Sequence, residues 1–366
     1  MDTKSIVIEA LKNVRYPGTG KNIVESEMVT SDDIIVTGKN VEIRIHFDRP
    51  TDPFIKSIIK AAEAAVTTFG DASLEVKGNI TPHYRQQLPD PSDLPLKKVK
   101  NIIGVSSGKG GVGKSTVAAN LAVALAAEGY KVGLLDADIF GPSIPKMFGI
   151  EDYQLYIHKV DGRDLIIPAE RYGVKILSIG FLVDKNNAVI WRGAMASNAL
   201  KQLINDVDWG ELDYFLIDMP PGTSDIHLTL VQTLPITGAV IVSTPQQVAL
   251  ADARKGIAMF REPKIDVPVL GIVENMAWFT PERHPEERYY LFGKEGAAHL
   301  AEELNVPLLA QIPVTETICD SGDNGKPIAL GDNITAQAFA HLARVVIEAV
   351  DTRNITLPPT KAVLAK

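Results

Sequence analysis

The stretch from Gly104 to Ala126, GVSSGKGGVGKSTVAANLAVALA, constrains the fold more than any other part of the chain. An apolar run leads into Gly108, Lys109, Gly110, Gly111, Val112, Gly113, Lys114 and Ser115, and a helix-forming run follows from Thr116. Glycines let backbone N–H groups turn inward around phosphate oxygens, and the positive end of the next helix strengthens the attraction. Strand, glycine-rich loop, lysine, hydroxyl and helix, in that order, read as a phosphate-binding loop. Lys114 is expected to reach the β- and γ-phosphates of a nucleoside triphosphate, and Ser115 to coordinate Mg²⁺.

From Asn101 onward, near-continuous apolar runs such as NIIGV, KVGLLDAD, VKILSI, YFLID, GAVIVST and VPVLGIVEN alternate with helical stretches. Strands covered on both faces have this composition, so the order predicts a doubly wound, mostly parallel α/β sheet of P-loop NTPase type. The expected helices include 115–128, 194–206, 248–261 and 295–304. Ahead of it, residues 1–82 read as a small α+β domain. Its helices are expected at 5–13 and 52–69 and its strands at 34–36, 41–47 and 73–76. Alternation in VEIRIHF puts Val41, Ile43, Ile45 and Phe47 on one face. Four prolines between Thr81 and Lys98 mark residues 83–98 as a stiff linker. The larger domain is expected over 99–350, with a C-terminal tail over 351–366.

Two acidic strand ends accompany the loop. Asp218, ending FLID, is placed to hold Mg²⁺, and Gly222, just past two prolines, to offer its N–H to the γ-phosphate. In LLDAD, Asp138 is the candidate to orient the attacking water; Asp136 serves the site or caps a turn. Trp191 and Arg192 follow another strand, where Arg192 touches phosphate or caps a helix.

Composition narrows the function. A net charge of −8 without any basic run argues against nucleic-acid binding, and no apolar stretch is long enough to span a membrane. The start, MDTKSIVIEALKNV, lacks the basic-then-apolar order of a signal peptide. A single cysteine, Cys319, excludes an intrachain disulfide. These features fit a cytoplasmic protein.

The form KGGVGKS resembles the deviant Walker A group of P-loop ATPases. Within that group, DADIFGPSIPKMFG, WRGAM, DWGELDYFLIDMPPGTSD, STPQQVALADARKG, GIVENM and GKPI resemble, in order, the Mrp (ApbC-like) iron–sulfur cluster carriers, over nearly all of 100–345. Residues 1–80 resemble the small iron–sulfur assembly domain often fused ahead of such ATPases. The resemblance implies a homodimer in which Lys109 reaches the nucleotide of the other subunit. There it would neutralise charge on the transferred phosphoryl group, as an arginine finger does. It also implies that Asn275 recognises adenine, that ATP is hydrolysed slowly as a conformational switch, and that iron–sulfur apoproteins or assembly proteins are partners.

The chain departs from that family at the cluster ligands. Thr280 and Arg283 stand where the family's Cys-x-x-Cys pair aligns, and neither supplies the thiolate that iron clusters select. The usual cysteine of the small domain is missing around Arg49–Phe54. Cys319 reads as a small, half-buried apolar residue and His284 as solvated, which leaves the cluster without assigned ligands. The segment from Thr280 to Tyr290 is a docking surface or a solvated loop. Two further readings stand beside cluster transfer: an ATP-switched scaffold without cluster chemistry, and an ATPase that positions itself on membrane or DNA.

Overall fold

The computed structural model describes residues 3–17, 19–47, 52–84, 96–160, 162–182 and 193–360. The expected linker between Arg85 and Pro95, together with Arg49 and the pair Trp191 and Arg192, lies outside them. Contacts divide the chain into two compact units that part between Asp93 and Leu94.

The first unit holds α1 (Thr3–Leu11), β1 (Ile34–Thr37), β2 (Asn40–Phe47), α2 (Ile55–Ala65) and β3 (Ile80–Tyr84). Its sheet runs β1-β2-β3, antiparallel between β1 and β2 and parallel between β2 and β3. The alternating residues of β2 face inward and meet Val7, Leu11 and Ile58 in one core. In α2 the buried Ile58, Ala62 and Ala65 follow the helical period, and the helix relaxes into a wider turn over Val66–Gly70.

One expectation fails here. Ser73–Val76 is not a strand; it makes only a bridge from Glu75 to Asn40. The third strand comes later, where the sequence reads as the start of the linker. Pro82 sits inside it, opposite Ile45. Because β3 is the sheet's edge, the missing N–H faces no partner strand.

The larger unit contains β4 (Val99–Ser106), α3 (Lys114–Ala127), β5 (Val132–Asp136), α4 (Ile144–Met147), a hairpin of β6 (Tyr156–Val160) and β7 (Arg163–Ile167), β8 (Ala169–Arg171) and β9 (Val174–Ser178). There follow α5 (Gly193–Asn205), β10 (Leu212–Asp218), α6 (Asp225–Thr233), β11 (Gly238–Ser243), α7 (Gln247–Phe260), β12 (Val269–Phe279), α8 (Gly296–Leu304), β13 (Leu308–Val314), α9 (Thr317–Asp323) and α10 (Ile334–Thr356).

Eight strands form one sheet, β13-β12-β11-β4-β10-β5-β9-β8, parallel except for β8 at one edge. Alternate residues of β10 feed opposite cores: Phe215 and Ile217 pack with α5, α6 and α7, while Tyr214 and Leu216 pack with α3 and α10. This is the doubly wound arrangement, with strands buried on both faces. The last helix runs through Thr356, into the stretch expected as a tail, and ends before Pro358 and Pro359.

Candidate functional site

The carboxyl ends of β4, β5, β10 and β12 converge beside the glycine loop. That loop leaves β4 at Ser106 and enters α3 at Lys114. Gly111 and Gly113 take φ of +82° and +80°, the left-handed region that side chains resist. Gly108 lies against the backbone of α7: a Cβ there would stand 2.1 Å from the Asp252 carbonyl carbon.

Lys114 is 6% exposed although it opens a helix. Its Nζ donates to Asp218 Oδ1 at 2.5 Å and to Ser115 Oγ at 3.2 Å, and lies 3.5 Å from Asp138 Oδ2. The cation expected at the phosphates is therefore neutralised by the carboxylates expected to serve the metal and the water. Asp218 is fully buried, and burial raises its carboxyl pKa against the pull of Lys114. Its second oxygen, Oδ2, is buried without a partner. An orphan acceptor beside a helix-start hydroxyl fits a hydrated Mg²⁺, so Asp218 and Ser115 match the expected donor set.

Asp136 lies opposite Asp218 across the β5–β10 pair. It accepts from Asp138 N at 3.2 Å, Ile144 N at 3.3 Å and Ser178 Oγ at 2.9 Å. Three donors suit a carboxylate, while burial and then the neighbouring Asp218 push its pKa well above the usual range. In position, Asp136 fixes the segment that carries Asp138. Gly222, at φ +79°, donates its N–H to Ser107 O at 2.8 Å. The group expected to meet the γ-phosphate is thus bonded to the phosphate loop itself.

Lys109 stands apart. Its side chain is exposed and makes no ion pair among the described residues, while its carbonyl accepts from Ser107 Oγ at 3.0 Å. Asn275 is 3% exposed and donates from Nδ2 to Val112 O at 2.8 Å, a contact possible because Gly113 has no Cβ. With Thr116, Met276, Trp278, Phe279 and Cys319 it lines an apolar cavity of about 370 Å³.

At the expected cluster position the donors do not assemble. Thr280 is buried, its N–H bonded to Val314 O and its hydroxyl unpartnered. The following loop folds back, with Tyr289 pairing Phe279 and the Arg288 guanidinium 4.3 Å over the Trp278 ring. Arg283 is exposed, as are His284, Glu286 and Glu287, whose ligand atoms gather within 4.8 Å but include no thiol. Cys319 is exposed rather than half-buried, and the negative charge of Asp323 raises its thiol pKa, which opposes thiolate formation.

Two buried residues at this end were not singled out from the sequence. Glu274 accepts from Ala297 N at 2.6 Å and Gln311 Nε2 at 2.9 Å, tying β12 to the start of α8. His227, fully buried, reads only as a helix residue, yet its place three residues after Ser224 is where a capping-box partner stands.

A cluster carrier protein of Synechocystis, named for iron–sulfur clusters, is 42% identical over 94% of this chain and 97% of its own. The iron–sulfur cluster transfer protein NUBPL of Dictyostelium discoideum is 42% identical over 73% of this chain and 81% of its own. A nucleotide-binding protein of Archaeoglobus fulgidus, solved in complex with ADP, is 41% identical with a TM-score of 0.56, covering 65% of this chain and 91% of that one. Residues 4–77 match the iron–sulfur cluster assembly protein family. Residues 98–347 match the ParA family described as NUBPL iron-transfer P-loop NTPase, and to that family this chain belongs.

Proposed function

We propose that the chain is a Mg-ATP-binding and hydrolysing homodimer whose nucleotide cycle drives the transfer of iron–sulfur clusters to apoproteins or assists their assembly. The observation that carries the nucleotide part is the buried Lys114–Asp218–Asp138 constellation beneath a glycine loop. Phosphate entering the loop would draw Lys114 from Asp218 and Asp138, freeing both carboxylates. Asp218 and Ser115 would then hold Mg²⁺, which would supply positive charge against that of the phosphates.

Asp138, released, is placed to orient a water towards the γ-phosphorus, whose bond to the leaving ADP oxygen breaks. Gly222 would exchange Ser107 O for a γ-phosphate oxygen. The adenine is assigned to the apolar cavity, where Asn275 keeps Oδ1 as its acceptor because Nδ2 already serves Val112. Lys109, exposed and without an ion pair among the described residues, is assigned to the nucleotide of a second copy.

Family membership supports cluster transfer as the output. The chain's own donors argue against the family's usual holding site, since one thiol per chain does not complete a four-iron cluster. No helix among the described residues is long and apolar enough to cross a membrane.

The test is anaerobic reconstitution of the full chain with iron and sulfide, then incubation with an apoprotein acceptor under Mg-ATP, Mg-ADP or no nucleotide. Acceptor activation should be faster with Mg-ATP. Equal activation in all three, at the rate of free iron and sulfide, would refute the proposal.

A further inference from the structure

Three consecutive residues of β4 and its exit receive the loop that joins β10 to α6. Met219 N donates to Val105 O at 3.0 Å, and Gly222 N donates to Ser107 O at 2.8 Å. Between them, His227 Nε2 lies 3.5 Å from Ser106 Oγ. His227 belongs to the first turn of α6 and reaches back to the residue that caps it. Ser224 N donates to Nδ1 at 3.2 Å, and Ser224 Oγ lies at the same distance from it.

An imidazole nitrogen that accepts from a backbone N–H carries no hydrogen of its own. The ring's hydrogen is therefore on Nε2, on the side of Ser106. Burial, and then the charge of Lys114, hold this ring neutral, with its pKa down at about 4. The hydrogen pattern is thus constant at any pH well above 4.

The loop has two fixed ends and a releasable middle. Its near end is fixed by β10 and by the Met219–Val105 bond. Its middle is held by the bond from Gly222 to Ser107, which cannot persist while the same N–H serves a γ-phosphate. Among the described residues, only His227 joins the far end, Ser224, to the strand that leads into the phosphate loop. When the middle changes partner, the position it reaches depends on that far anchor.

We infer that His227 is a positioning residue for the γ-phosphate: it pins Ser224 to β4 through Ser106 while Gly222 exchanges partners. This rests on the nucleotide reading above and names a residue that the reading does not use. A diphosphate does not engage Gly222, so His227 should matter for turnover and not for ADP binding.

The experiment uses the full chain with His227→Leu and His227→Gln, measuring Mg-ATP turnover at saturation, Mg-ADP affinity by calorimetry, and thermal unfolding. With the anchor lost, the Leu variant should lose about tenfold or more in kcat, as a sub-ångström misplacement of reacting groups does. Its Mg-ADP affinity should stay within about twofold, since loop and lysine are untouched. Glutamine offers an oxygen to Ser224 and an amide donor to Ser106, and at this helix position it is a normal cap partner. The Gln variant should return turnover to within about threefold of the parent.

Unchanged turnover in the Leu variant would overturn the inference. So would equal losses in the Leu and Gln variants, or a fall in ADP affinity that matches the fall in turnover. If the Leu variant does not fold, His227→Asn decides, because its oxygen reaches Ser224 but its amide does not reach Ser106. Asn turnover near that of Gln would overturn the role of Ser106, and turnover well below Gln would support it. A parent chain that turns over no Mg-ATP sinks the nucleotide reading itself, before any variant is compared.

Discussion

Lys109 and Lys114 share one loop and have opposite surroundings. Lys114 is buried and paired with the carboxylates of Asp218 and Asp138; Lys109 is exposed and makes no ion pair among the described residues. Lys114→Ala should abolish Mg-ATP and Mg-ADP binding in a calorimetric titration. Lys109→Ala should leave binding within about twofold yet reduce hydrolysis by about 10³-fold or more, the range of a finger supplied in trans, and weaken ATP-induced dimerisation. Full turnover in the Lys109 variant would remove the trans role.

A second residue-level test uses pH. The folded pKa of His227 is lowered to about 4, whereas an unfolded histidine titrates near 6.5. The folded chain refuses a proton that the unfolded chain accepts, so this contribution is complete above about pH 6.5 and lost as pH falls towards 4. The raised carboxyl of Asp136 slopes the other way, being lost as pH rises through its folded pKa. Urea unfolding of the parent against His227→Gln isolates the histidine. The parent should lose about 2–3 kcal/mol relative to the variant between pH 7 and pH 4. A constant difference would show that the ring is not held neutral.

At the scale of elements, the loop and its neighbours explain which glycines matter. Gly222 has open space where a Cβ would go, so only its positive φ opposes substitution. Gly222→Ala should cost about 1 kcal/mol of stability. Gly108 has an ordinary φ but touches the backbone of α7, which cannot step aside as a side chain can. Gly108→Ala should cost at least about 2 kcal/mol and weaken Mg-ADP binding, because the loop must lift from α7. A Gly108 variant as stable as the Gly222 variant would contradict that packing.

The same scale shows what the sequence disclosed. Strands β4, β5, β9, β10, β11 and β12 are legible because burial on both faces demands unbroken apolar runs. Strands β3 and β13 are not, and both contain a proline, Pro82 and Pro313. Each is an edge strand, where a missing N–H is tolerated, so the breaker signal misleads. Spacing in sequence pointed to the glycine loop and to Asp218 at a strand end. It did not show that Lys114 pairs with Asp218, that Gly222 is bonded to Ser107, or that Asn275 has already spent its amide on Val112. Those facts depend on which strand ends become neighbours in the sheet.

For the whole molecule, the cores decide how the chain comes apart. Among the described residues, every buried apolar residue of the small core lies between Val7 and Ile80, and the two cores of the larger unit draw on residues from Leu96 onward. Each unit has its own apolar burial to drive folding. A chain starting at Leu94 should therefore fold alone, unfold in one transition and bind Mg-ADP within about twofold of the full chain, since every phosphate-site residue lies within it. Residues 1–93 should fold separately but with a lower midpoint, as a unit under 100 residues buries a smaller fraction of its surface. Calorimetry of the full chain should then show two transitions, with Mg-ADP raising only the higher one. A single transition that moves as a whole with nucleotide would mean that the small unit is stabilised by the larger one, and that its separate core does not suffice.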